Sequence, residues 1–320
     1  MKHLVQPFLS VLVLLLASGV ARPAGALPFD PAGHWQGAIL VRPGEYEIDL
    51  DLTLERCGER GWCGHLVLPT ENSSPLDVLS IEVQGAVLSF RTRDAEGVDS
   101  EFKGTFSSDG QSIEGVIFEK ERQAPFTLAR AEQASTVRAS VKTLSESGSE
   151  LRETFNQDRG KVRLLLILSP TCSNCRMSAR LVQRYVLAAL NDPRLAVYVV
   201  WEKIGSKDSL ETALQATALL PDPRVNFFWS SERIVGKIFQ KTIGIQGTPA
   251  WDVFLVFDTR KEWPGSPPSP DYLMHNQPAH SELPQDRLLN ANRLVEKVRN
   301  YLQENGTASL SEVNVPTPSF

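Results

Sequence analysis

The 320-residue sequence predicts a two-domain architecture: an all-β antiparallel barrel of about eight strands over residues 29–130, then an α/β domain over residues 148–304. Three observations carry this expectation. Residues 45–55 alternate without a break, with Tyr46, Ile48, Leu50, Leu52 and Leu54 apolar and Glu45, Glu47, Asp49, Asp51, Thr53 and Glu55 polar between them. That is the period of a strand with one face in a core and the other in water. A continuous apolar run at 161–169 leads into Cys172-Ser173-Asn174-Cys175, followed by a stretch of helix composition to residue 190. From there to residue 302, strand-like and helix-like segments alternate, as in a mainly parallel sheet covered by helices on both faces.

The first 26 residues read as a secretory signal peptide. Lys2 supplies the basic start, residues 8–20 the apolar run, and Ala24-Gly25-Ala26 a small-x-small cleavage site. The run falls short of the ~20 residues that a membrane helix needs. No cysteine stands near the cleavage site to carry a lipid. The protein is therefore expected outside the cytoplasm, periplasmic or secreted, with no membrane span once the signal is removed. A net charge of −5 argues against a general nucleic-acid binder.

In the barrel region, further strand patterns fall at 35–41, 62–68, 77–84, 86–91, 99–106, 112–118 and 124–130, and turn residues separate many of them. About eight such strands close around an interior that holds side chains or one small ligand. Cys57 and Cys63 lie at facing ends of two of these strands, so a structural disulfide is expected there. Gly33-x-Trp35-x-Gly37 resembles the Gly-x-Trp start of lipocalin-like barrels. The resemblance implies a Trp that plugs one end and a small apolar ligand within. Residues 131–147, rich in Ser, Thr, Ala, Glu and Lys, are expected to be a linker, and residues 305–320 a flexible tail.

The chemistry concentrates at the Cys-x-x-Cys pair. A helix that opens at these residues places Cys172 at its N-terminal end and Cys175 one turn inside, close enough to bond to each other. Unpaired N–H groups and partial positive charge at a helix start favour thiolate over thiol. Cys172 is then the accessible low-pKa nucleophile, and Cys175 the buried resolving thiol. Exchange runs through a mixed disulfide with a substrate sulfur.

The strand, the Cys-x-x-Cys helix, and a later Gly244-Ile245-Gln246-Gly247-Thr248-Pro249 before an apolar strand at 251–258 together resemble the thioredoxin superfamily, in particular its extracytoplasmic members. The resemblance covers residues 148–304 and implies a thioredoxin-like α/β sandwich with thiol–disulfide oxidoreductase activity. It also implies a cis peptide bond at Pro249 facing the cysteines, and a substrate strand paired with the backbone at Thr248. Trp201, Glu202 and Trp251 are expected to line that substrate surface. The chain departs from thioredoxin itself in two places. Leu166 stands where thioredoxin carries a buried acid, and Ser173-Asn174 replaces its Gly-Pro.

Glu202 and Asp252 are the carboxylates placed to substitute for the missing acid, and each also reads as an ordinary structural or solvated acid. His275, after a proline-rich stretch, reads as a surface-loop residue. The implied partners are protein or small-molecule thiols and disulfides, and no cofactor or metal is called for. A binding function is the alternative: a lipocalin-like barrel carrying a ligand beside a non-catalytic scaffold, or thiolate handling of copper or mercury. The sequence leaves the direction of redox chemistry open.

Overall fold

The structure, a computed structural model, describes residues 28–58, 61–71, 75–131, 139–277 and 282–311. The expected signal peptide lies outside the described residues.

The first sheet comprises β1 (Gly33–Arg42), β2 (Tyr46–Cys57), β3 (Gly61–Val67), β4 (Asp77–Gln84), β5 (Val87–Arg93), β6 (Asp99–Phe106), β7 (Ser112–Glu119) and β8 (Arg122–Ala131). All paired strands are antiparallel, in the order β3-β2-β1-β8-β7-β6-β5-β4. A bridge between Leu66 and Leu76 brings the two ends together, so the sheet is a nearly closed barrel. The alternation read from β2 points Leu50, Leu52 and Leu54 inward, where they meet Trp35, Phe90, Phe102 and Phe126. Phe90 and Phe102 stack with centroids 4.4 Å apart. These side chains occupy the interior that the lipocalin resemblance reserves for a ligand. The Trp35 ring is covered by the Arg130 guanidinium at 4.4 Å. Cys57 and Cys63 form the expected disulfide across the β2–β3 hairpin, with Cα atoms 5.7 Å apart.

The second sheet comprises β9 (Val141–Thr143), β10 (Val162–Leu168), β11 (Leu195–Glu202), β12 (Val225–Ser230), β13 (Val253–Phe257) and β14 (Tyr272–His275), in the order β14-β13-β10-β11-β12-β9. Strands β9 to β12 pair in parallel, whereas β13 and β14 pair antiparallel. The sheet is therefore mixed rather than mainly parallel. Its edge strand β9 comes from the stretch expected to be a linker, and residues 132–138 of that stretch are outside the described residues. Helices α1 (Ser149–Gln157) and α4 (Ile234–Thr242) cover one face through Leu151, Phe155, Val235 and Phe239. Helices α2 (Ser173–Leu181), α3 (Leu210–Ala216) and α5 (Ala291–Ser311) cover the other. Helix α5 runs into the stretch expected as a tail, and α2 continues as a π-helical segment, Val182–Leu187.

The two sheets meet where the outer face of β2 receives α2 and its π-helical continuation. Glu47 and Asp49, expected to face water, are each 2% exposed. Arg184 pairs with both, at 2.5 Å from Asp49. Arg180 lies 3.4 Å from Asp49, and the Tyr185 hydroxyl donates to Glu47 at 2.5 Å. The fit is geometric as well as electrostatic. Alternate strand residues repeat every ~6.6 Å, and helix residues four apart every ~6 Å, so an acidic strand stripe matches a basic helix stripe. Arg176 extends the contact by donating to the Pro69 carbonyl at 2.6 and 3.2 Å. At the far end, Ala291 N–H donates to the Gly44 carbonyl at 2.7 Å.

Candidate functional site

Strand β10 is buried along its whole length, so its carboxyl end delivers the chain to a turn above the sheet. That turn is anchored by Asp208, itself 3% exposed. Its carboxylate accepts from the Ser169 hydroxyl at 2.9 Å, the Thr171 N–H at 3.1 Å and the Thr171 hydroxyl at 2.6 Å. It also accepts from Ile204 N–H at 2.9 Å and Gly205 N–H at 2.7 Å, tying the loop after β11 to the cysteine turn. Nothing in the sequence marks Asp208 as a site residue. An acid four residues before a helix-forming threonine carries no local sign that its partners lie 37 and 39 residues away.

Cys172 is the N-cap of α2 and is half-buried. The Cys175 thiol donates to its sulfur and the N–H groups of Asn174 and Cys175 add to this, holding its pKa down at about 6 against desolvation and the Asp208 charge. Cys172 is thus chiefly a thiolate at neutral pH. Cys175 is completely buried, which pushes its thiol well above the usual range, and the Cys172 sulfur and the Asp252 charge push it further. The two thiols are separated in acidity, Cys172 below and Cys175 above an ordinary thiol.

Asp252 lies behind this pair. It is 1% exposed and adopts φ 50°, a left-handed conformation unusual for a residue with a side chain. No cation pairs with its carboxylate among the described residues, and the Ser178 hydroxyl and the Cys175 thiol are the donors that face it. Burial holds its pKa well above the carboxylate range and the Cys172 charge adds to this, while Ser178 and Cys175 offset part of the effect. A structural carboxylate fixed by a cation is not what the structure contains at this position.

Glu202 is also buried. Its Oε1 accepts the N–H groups of Val235 and Gly236, both at 2.9 Å, at the start of α4. Burial raises its pKa to about 7 despite those N–H groups and the charges of Arg233 and Lys237. Gly236 is required here: a Cβ would lie 2.4 Å from the Ala250 carbonyl and 2.7 Å from Glu202 Oε2. Trp201 is 0% exposed and packs in the same core cluster as Cys175. Trp201 and Glu202 therefore do not line a substrate surface as expected, because β11 is a central strand with both faces covered.

The remaining expected docking residues stay near the surface. Thr248 is exposed, Pro249 is half-buried beside Gly236, and Trp251 packs partly against the core cluster that Cys172 joins. Gly244 and Gly247 both take φ 81°, which explains the glycines of this loop. The bond before Pro249 is trans, since the described residues contain no cis peptide, so the cis geometry implied by resemblance is absent. The Thr248 N–H donates to the Gln246 carbonyl at 3.0 Å rather than standing free for a substrate strand. His275 is fully buried in β14, contacting the Pro284 carbonyl at 3.1 Å, and is not a surface-loop residue.

The soft donors at the site are Cys172 and Cys175. Among the described residues, no three or more His, Cys, Asp or Glu side chains group as a metal site. No described helix is long and apolar enough to cross a membrane. Compared with known proteins, the chain matches no protein-family model and no curated sequence.

Proposed function

We propose that the protein is an extracytoplasmic thiol–disulfide oxidoreductase with a thioredoxin-like domain, working through Cys172 and Cys175. The observation that carries this reading is the acidity split within one helix turn: a half-exposed Cys172 with a pKa of about 6 above a buried Cys175 whose thiol is raised. The mixed sheet with helices on both faces and the Cys-x-x-Cys at a helix start support the fold assignment. The N-terminal apolar run and the Cys57–Cys63 disulfide support the compartment.

In the reducing direction, the Cys172 thiolate attacks one sulfur of a substrate disulfide. A mixed disulfide forms, and the other substrate sulfur leaves as a thiolate that takes a proton from water. Cys175 must then lose its proton to attack the Cys172 sulfur. Asp252, buried beside it, accepts that proton in its ionised form, which becomes easier to reach once the mixed disulfide has consumed the Cys172 charge that raises its pKa. The substrate's second sulfur leaves as a thiolate that takes a proton from water, and the enzyme is left with a Cys172–Cys175 disulfide. Two electrons pass from protein to substrate, and the same steps reversed oxidise a dithiol.

The test is single-turnover reduction of a peptide disulfide by the reduced protein. Wild type should reduce one equivalent, Cys172→Ser none, and Cys175→Ser should stop at the mixed disulfide. Equal turnover by wild type and Cys172→Ser would remove the reading.

A further inference from the structure

We propose that the disulfide substrate is a polypeptide carrying acidic residues beside its cysteine, and that these residues dock in a basic cleft next to Cys172. The inference rests on the oxidoreductase reading and names its substrate class.

The cleft has a volume of about 550 Å³ and is lined by Lys203, Ser206, Arg233, Lys237 and Pro249 among others. One side chain ties its rim to the turn that carries the nucleophile. Asp208 accepts both the Thr171 N–H, one residue before Cys172, and the Gly205 N–H on the cleft rim. Pro249 forms part of its wall, so the cleft and the loop expected to meet substrate are continuous.

Its charge is opposite to that of the chain. The sequence carries a net −5, yet three cations line this cleft and Glu232 is the one exposed acid among its lining residues. Among the described residues, neither Lys203 nor Lys237 forms an ion pair, and both are exposed. Arg233 shapes the cleft: its guanidinium donates to the Lys203 and Ile204 carbonyls at 2.8 and 2.7 Å, which hold the rim against the start of α4 while the positive charge remains. The helix terminus itself is not the attractant, because Glu202 already takes its first N–H groups. Two exposed lysines in no ion pair and an arginine, offset in part by the buried Glu202 on which Arg233 and Lys237 act, attract carboxylates, with an interaction that salt screens. Pro249 and Ile204 add an apolar strip on which the peptide backbone next to the cysteine rests.

The experiment uses three peptides of one sequence, each with its cysteine held as a mixed disulfide and flanked by Glu, Gln or Lys. Rates with the reduced full-length protein are followed by stopped flow at low and moderate salt. The Glu peptide should react about tenfold faster than the Lys peptide at low salt, and the gap should shrink as salt is added. In Lys203→Glu/Lys237→Glu the Glu-to-Lys rate ratio should invert. Because a ratio is read, a change in overall turnover does not blur it, and Lys203→Gln with circular dichroism guards against misfolding of the double variant. Equal rates for the three peptides would overturn the acidic-segment proposal and leave the oxidoreductase reading standing. A small dicarboxylate disulfide is run beside the peptides, and a charge preference seen with it and absent from the peptides would overturn the proposal in favour of a small-molecule substrate. No reaction with any peptide would overturn both.

Discussion

Replacing Cys175 by Ala should raise the pKa of Cys172, and by an amount that the structure sets. The Cys175 thiol is the largest influence holding the Cys172 pKa at about 6. A hydrogen bond to a charged acceptor contributes ~1.5–3 kcal/mol, and one pKa unit corresponds to ~1.36 kcal/mol, so its loss shifts the value by about one to two units. The N–H groups of Asn174 and Cys175 remain at the helix start, which keeps Cys172 below an ordinary thiol. At pH 7 the thiolate fraction should fall from about nine-tenths to between about a half and a tenth. Cys175→Ser keeps a donor at the same place, so its titration should stay near the wild-type midpoint. Thiolate absorbance in the ultraviolet, or iodoacetamide rates against pH, measures all three midpoints. An Ala variant titrating with wild type would refute the hydrogen-bond account. A wild-type midpoint at the ordinary thiol value would refute the activation of Cys172 altogether.

Four further outcomes follow from named contacts. Asp252→Asn should leave mixed-disulfide formation intact and slow its resolution, seen as a longer-lived Cys172–substrate adduct on non-reducing gels; an unchanged lifetime removes Asp252 from the proton path. Glu202 has a folded pKa of about 7, above its unfolded value of 4.5, so its contribution to stability is complete below ~4.5 and is lost as pH rises through ~7. Glu202→Gln should therefore gain stability relative to wild type at pH 8 and not at pH 4, by about 3 kcal/mol, and urea midpoints that move equally at both pH values would contradict it. Arg184→Ala removes a partner from two buried acids, while Tyr185 and Arg180 still serve them. It should cost about 2–3 kcal/mol and lower Tm by roughly 5–10 °C, and a shift under 1 °C would show that the junction contributes little. In a graded thiol titration of the oxidised protein, Cys172–Cys175 should open before Cys57–Cys63, since only the former sits at a helix start; the reverse order would move the redox site to the barrel.

Much of this molecule is written in short-range pattern. The period-two runs at 45–55 and its neighbours marked the eight barrel strands, because side-chain direction in a strand alternates whatever the partner. The Cys-x-x-Cys spacing assigned Cys172 and Cys175 their unequal environments, because a helix turn and its N-terminus are local. What lay beyond the sequence was the far end of each polar group. Glu47 and Asp49 read as the wetted face of a strand, and residues 176–190 only as helix-forming. Tertiary docking of Arg180 and Arg184 onto that strand made a buried junction. In the same way β9 and β14 were too short to show a period, and β13 turned antiparallel because the chain re-enters the sheet beside β10 from the opposite end. Trp201 and Glu202 read as strand-end residues facing substrate, and the layers above and below β11 buried them instead. Local geometry is set by neighbours along the chain and so is legible there. Which charge meets which, and which carboxylate is left without a cation as Asp252 is, depends on segments distant in sequence that only the folded packing brings together.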